Sequence, residues 1–130
     1  MRKLILVLII FLVGCAAPEA VRKKAENYLP KNCVDILDSN NYQMKMVETS
    51  LVVAMDNQNN YVCTWAHGGE ITMGKGCPFS CSIQEQVDAL ALAKCEKLRK
   101  RNGVKSQCKI FAQGNNIVWN KQKAENLDFE

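Results

Sequence analysis

The sequence predicts an α+β fold: a small antiparallel sheet of two β-hairpins in ββαββ order, packed against one long amphipathic helix, with a short N-terminal helix. Three stretches carry that expectation. Residues 51–66 read as two β-rich runs around an Asn-rich turn, residues 82–103 as a capped helix with one apolar stripe, and residues 106–119 as a second pair of strands. A helix apolar on one side needs a sheet face to cover, so the three belong to one layered domain.

In chain order, Arg2 and Lys3 precede an unbroken apolar run from Leu4 to Val13, followed by Gly14 and Cys15. A charged start, a short apolar stretch and small residues before a cleavage point make a secretory signal peptide. A run of ten residues is too short to span a bilayer as a helix, which takes roughly 17–25. Leu12-Val13-Gly14-Cys15 resembles the lipobox of bacterial lipoproteins. That resemblance implies cleavage after residue 14, a covalent lipid such as palmitate on Cys15, and membrane lipid as a partner through that anchor. Ala16, where an aspartate would mark inner-membrane retention in Gram-negative members, implies the periplasmic face of the outer membrane. Residues 15–19 form a lipidated tether, residues 20–120 a single disulfide-stapled domain, and residues 121–130 a polar tail.

Charge discriminates less. The signal holds two of the seventeen basic residues and none of the thirteen acidic ones, so the mature chain carries 15 basic against 13 acidic residues. Nothing in that balance calls for nucleic acid, and the expected partner besides lipid is an unidentified envelope protein or ligand. Cysteines say more. Besides Cys15 there are six: Cys33, Cys63, Cys77, Cys81, Cys95 and Cys108. An even number in an exported chain of this size reads as a disulfide framework, because that compartment is oxidising. Six cysteines allow fifteen connectivities.

After the tether, Val21, Ala25, Tyr28 and Leu29 recur at helical spacing, and Pro30 closes that helix. Arg22, Lys23 and Lys24 are its wet side. Residues 33–37 are a brief apolar patch with no clear period, and residues 38–41 a polar turn. Met44 and Met46 flank Lys45 as along a strand or at an edge. The first hairpin pairs residues 51–55 with 61–66, and alternation puts Tyr61, Cys63 and Trp65 on one face and Val62, Thr64 and Ala66 on the other. Residues 67–81 hold four of the seven glycines and read as a loop.

Ser82 and Glu85 then make a capping box. Ile83, Val87, Leu90, Ala91, Cys95 and Leu98 form the apolar stripe, four basic residues sit where the helix dipole favours cations, and Gly103 is placed for a left-handed cap. In the second hairpin Ser106, Cys108, Ile110 and Ala112 share one face. Residues 113–116 turn the chain and 117–119 return it. Residues 83–119 also resemble small exported bacterial domains of unknown function. That likeness implies the fold and no activity.

Cys95 and Cys108 reach similar heights. The helix climbs about 9 Å beyond Cys95 at 1.5 Å per residue, and the strand returns about 13 Å less its turn. A structural disulfide there closes a short loop, a contribution of about 3 kcal/mol. Residues 69–75 match the start of a P-loop, but Gly76 stands where a magnesium-binding Ser or Thr is required, and no helix follows. The stretch Cys77-Pro78-Phe79-Ser80-Cys81 is spaced by three residues, not the two of thioredoxin-type motifs, and is similar to the Cys-Pro-x-x-Cys copper motif of thioredoxin-fold proteins that assemble cytochrome oxidase. The likeness implies Cys77 and Cys81 as thiolate ligands. His67, the only histidine, lies upstream instead of far downstream, and the βαβ pattern of that fold is missing. Soft sulfur ligands, Met73 included, suit Cu(I). The expectation is therefore a lipid-anchored, non-enzymatic binding or structural module of the envelope, with no resident cofactor. The alternative is a thiol/disulfide or Cu(I)-binding protein working through Cys77, Cys81 and His67.

Overall fold

The computed structural model describes residues 16–71 and 82–119. Three short helices come first: α1 (Glu19–Glu26), α2 (Lys31–Leu37) and α3 (Asn40–Gln43). The hairpin of β1 (Thr49–Met55) and β2 (Tyr61–His67) follows, then a 3-10 turn (Gly68–Glu70). Helix α4 (Ile83–Asn102) leads into β3 (Lys109–Gln113) and the two-residue β4 (Asn116–Ile117). The four strands form one antiparallel sheet in the order β2-β1-β3-β4.

The class is α+β, and the small sheet and long helix are present as expected. The simple ββαββ order needs correction, because the chain enters through three helices rather than one. Pro30 explains part of this. It ends the first helical stretch and also caps the next, its φ of −59° suiting a helix start. In α2, Cys33, Val34 and Leu37 turn inward at i, i+1 and i+4. Seven residues show too little of that period for sequence to separate helix from strand.

Both faces of the sheet are therefore covered. On one, Leu51, Val53, Phe111 and Ala112 pack against Ala25, Leu29, Cys33, Leu37 and Tyr42 of the N-terminal helices and their connections. On the other, Val52, Ala54, Val62 and Ala66 pack against Val87, Ala91 and Cys95 of α4. Central strand β1 is buried from Thr49 to Ala54, which is why it reads as an apolar run and not as an alternation. Phe111 is wholly buried, and burying a side chain of that size contributes roughly 1.5–3 kcal/mol.

The expected face sharing in β3 fails at one place. Val52 pairs with Ile110 but Leu51 pairs with Ala112, so Phe111 is an extra residue, a β-bulge. Phe111 faces the N-terminal helices, opposite Ile110, and the bulge brings Ala112 to the same face instead of leaving it with Ile110 and α4.

Local chemistry sets the remaining boundaries. Asp56 closes the first hairpin, its Oδ1 accepting the amides of Gln58 at 2.9 Å and Asn60 at 3.0 Å, and Asn59 takes a left-handed φ of 63°. Ser82 and Glu85 form the reciprocal cap of α4. Gly103 ends it at φ 69°, where any side chain is strained. Five of the six residues of the expected stripe pack against the sheet, Val87, Ala91 and Cys95 buried and Leu90 and Leu98 partly so, while Ile83 is exposed and Asp88 is buried beside them.

Candidate functional site

Of the residues singled out in the sequence, Cys15, Met73, Cys77 and Cys81 lie outside the described residues. His67, Cys95 and Cys108 lie within them.

A disulfide joins Cys95 of α4 to Cys108, with Cα atoms 6.0 Å apart. A second joins Cys33 of α2 to Cys63 of β2 across 5.7 Å. The two sit on opposite faces of the sheet, each inside its own apolar cluster. Chain entropy assigns about 4 kcal/mol to the bridge spanning 30 positions and about 3 kcal/mol to the one spanning 13. Glu96 supports the second bridge, accepting the Cys108 amide through Oε1 at 3.0 Å and pairing with Arg99 through Oε2.

His67 ends β2 and caps the 3-10 turn. Its Nδ1 accepts the Gly69 amide at 3.1 Å, which leaves the ring proton on Nε2. Its own amide donates to Glu70 Oε2 at 2.9 Å, and its ring lies 5.5 Å from that of Trp65. Glu70 in turn pairs with Lys94 of α4. Partial burial pushes the Glu70 carboxyl up, but Lys94 and the His67 amide outweigh it and hold it below the ordinary range. These contacts make His67 a structural cap: Nδ1 is taken by the Gly69 amide, and the protonated Nε2 faces Glu70 Oε2 at 3.8 Å. Among the described residues no group of three or more His, Cys, Asp or Glu side chains is placed to hold a metal ion.

One polar concavity was not foreseen. A polar cleft of about 200 Å³ opens where β1 begins, between α3, the β3–β4 turn and the first turn of α4. Gln43 and Asn115 form one wall, exchanging amide hydrogen bonds of 2.7 and 3.0 Å. Opposite them Gln84 donates to Asp88 Oδ1 at 2.9 Å and to the Thr49 carbonyl at 3.2 Å, while Gln113 donates to Asp88 Oδ2 at 2.6 Å. Asp88, only 9% exposed, is thus satisfied by two neutral amides. Beneath the cleft the Tyr42 hydroxyl donates to the Gly114 carbonyl at 2.7 Å. Burial, with the nearby Asp88 charge, pushes this phenol up to about 12 against a weaker opposing bond from Thr49. Lys45 and Glu48 supply charges of both signs at the rim. The cleft is smaller than the ~300–1,000 Å³ of a drug-sized ligand site. It suits one polar group. The sequence signal was the Gln84/Asp88 pair at i, i+4, which places both side chains on one side of α4.

A larger groove of about 440 Å³ runs between α1 and α2, with Arg22, Lys31, Glu26 and Asp35 around it. Among the described residues no helix is long and apolar enough to cross a membrane. No protein-family model, curated protein or solved structure matches the chain significantly.

Proposed function

We propose that the chain is a lipid-anchored lipoprotein of the cell envelope, held by acyl chains on Cys15, whose stapled domain binds or holds a partner there without catalysis. The observation that carries this reading is the pair of buried disulfides, Cys33–Cys63 and Cys95–Cys108, one on each face of the sheet. Such a framework fits an oxidising compartment, and the segment around Cys15 supplies the route to one. Acyl chains on Cys15 contribute about 0.8 kcal/mol per buried methylene, so two or more hold the protein at the membrane for good. The absence of a retention aspartate at Ala16 favours the periplasmic face of an outer membrane.

The alternative keeps one specific support. With four cysteines bonded in two pairs, Cys77 and Cys81 are left as partners for each other or as a pair of ligands for Cu(I), which His67 joins as a third donor only by giving up its Nδ1 bond to the Gly69 amide or its Nε2 proton. The pairing equally suits a third structural bridge, which is the reading adopted.

The test is metabolic labelling with a fatty acid. Label is expected in the wild-type protein and not in Cys15→Ser, which leaves the membrane fraction or stays unprocessed. A wild-type protein that never takes up label would overturn the reading.

A further inference from the structure

The domain has one apolar end. Among the described residues five large hydrophobic side chains are exposed, and four of them, Met44, Met46, Val47 and Ile83, belong to segments that meet where β1 begins. Met46 is fully exposed and Met44 62% exposed. Val47 and Ile83 are neighbours over Gly68, where a Cβ would stand 3.3 Å from Val47 Cβ and 3.5 Å from Ile83 Cγ2. Scattered exposed hydrophobics need no explanation, but a group at one end marks a contact surface.

The tether leads to the same end. Ala17 is buried, and its amide donates to Asp38 Oδ1 at 2.9 Å. Asp38 follows α2, which starts near the far end of the sheet, where Asn32 donates to the Tyr61 hydroxyl. It finishes at Leu37, whose carbonyl accepts from the same Gln43 amide that bonds Asn115 in the β3–β4 turn. That turn lies beside Thr49, the first residue of β1. The pinned residue and the apolar side chains therefore share one end of the molecule.

Ala17 stands two positions after Cys15, a reach of at most about 7 Å. Resting on the lipidation of Cys15 proposed above, we infer that the domain is seated directly on the bilayer, with Met44, Met46, Val47 and Ile83 at the boundary between headgroups and acyl chains. Lys45 lies between the two methionines and can bury its stem while its ammonium stays among the headgroups. The polar cleft opens beside it, lined by Lys45 and Val47, at the depth of a phosphate or glycerol group. A long flexible tether would let the domain work away from the membrane. This one holds it flush.

The test uses the full lipidated protein in phosphatidylethanolamine/phosphatidylglycerol vesicles containing brominated acyl chains. Met46→Trp places a reporter on a fully exposed site that folding does not need, and Arg101→Trp, at the opposite end of α4, is the control. Fatty-acid label and vesicle flotation are measured on the same samples. Blue-shifted, bromine-quenched emission from Met46→Trp, with none gained by Arg101→Trp or wild type, is the expected result. Labelled, vesicle-bound protein whose Met46→Trp emission is not quenched would overturn the seating alone and point to a second copy or another segment of the chain over the patch. Protein without label that does not float would overturn the anchor itself, and the seating with it.

Discussion

Glu96 Oε1 accepts the backbone N–H of Cys108 at 3.0 Å, so the carboxylate one residue past Cys95 holds the strand-side cysteine of the same bridge. The disulfide and this hydrogen bond tie the second half of α4 to the approach of β3, and Arg99 fixes the other carboxylate oxygen while donating to the Val104 carbonyl at 3.2 Å. One charged side chain thus links helix, turn and strand.

Acid should loosen that link. Partial burial pushes the Glu96 carboxyl up, but the Cys108 amide, then Arg99 and Lys100, hold it below its ordinary value of 4.5. A carboxyl with a lowered folded-state value stabilises the fold above its unfolded value and loses that contribution as pH falls through the folded one. Glu70 behaves alike through Lys94 and the His67 amide. Urea midpoints are expected to fall as pH drops below 4.5, and Glu96→Gln should lower stability near neutral pH while flattening that fall. An unchanged acid slope in Glu96→Gln would show that the link contributes nothing.

Removing the bridges should have two different effects. Cys95→Ala with Cys108→Ala is expected to cost about 2–5 kcal/mol, the usual range for a native disulfide of a small secreted domain. Cys33→Ala with Cys63→Ala should cost a similar amount but locally free α1, α2 and α3, because that bridge fastens the N-terminal helices to β2. Hydrogen exchange tests this: protection lost first in residues 19–43, with α4 and β1 still protected, is the expected pattern. Uniform loss across the chain would argue against a separately stapled helical layer.

Much of the fold was legible because it is written locally. The Ser82/Glu85 cap, the left-handed Gly103 and the Asn-rich turn after Asp56 each need only neighbouring residues. What was hidden depends on partners far along the chain. Helix α2 is seven residues long and earns its shape from packing on the sheet. Phe111 reads as an outward residue of an alternating strand, but the N-terminal helices cover that face, and the bulge brings Ala112 to it as well. The Cys33–Cys63 bridge needs α2 laid across β2, which no spacing rule supplies. The polar cleft needs Gln43, Gln84 and the Gln113/Asn115 pair from three separate segments. Its amides carry no motif, so nothing in the linear order announces them.

The state of the seven cysteines in protein extracted from its own membrane without reductant decides between an anchored, stapled module and a copper site. Intact mass and peptide mapping after thiol blocking would read all of them at once. The result expected is acyl chains on Cys15, Cys33 joined to Cys63, Cys95 joined to Cys108, and Cys77 joined to Cys81 with no thiol left to block. An unmodified Cys15 would contradict the anchor. Blocked thiols at Cys77 and Cys81, together with a stoichiometric copper ion lost in Cys77→Ser, would contradict the structural reading and establish the copper one.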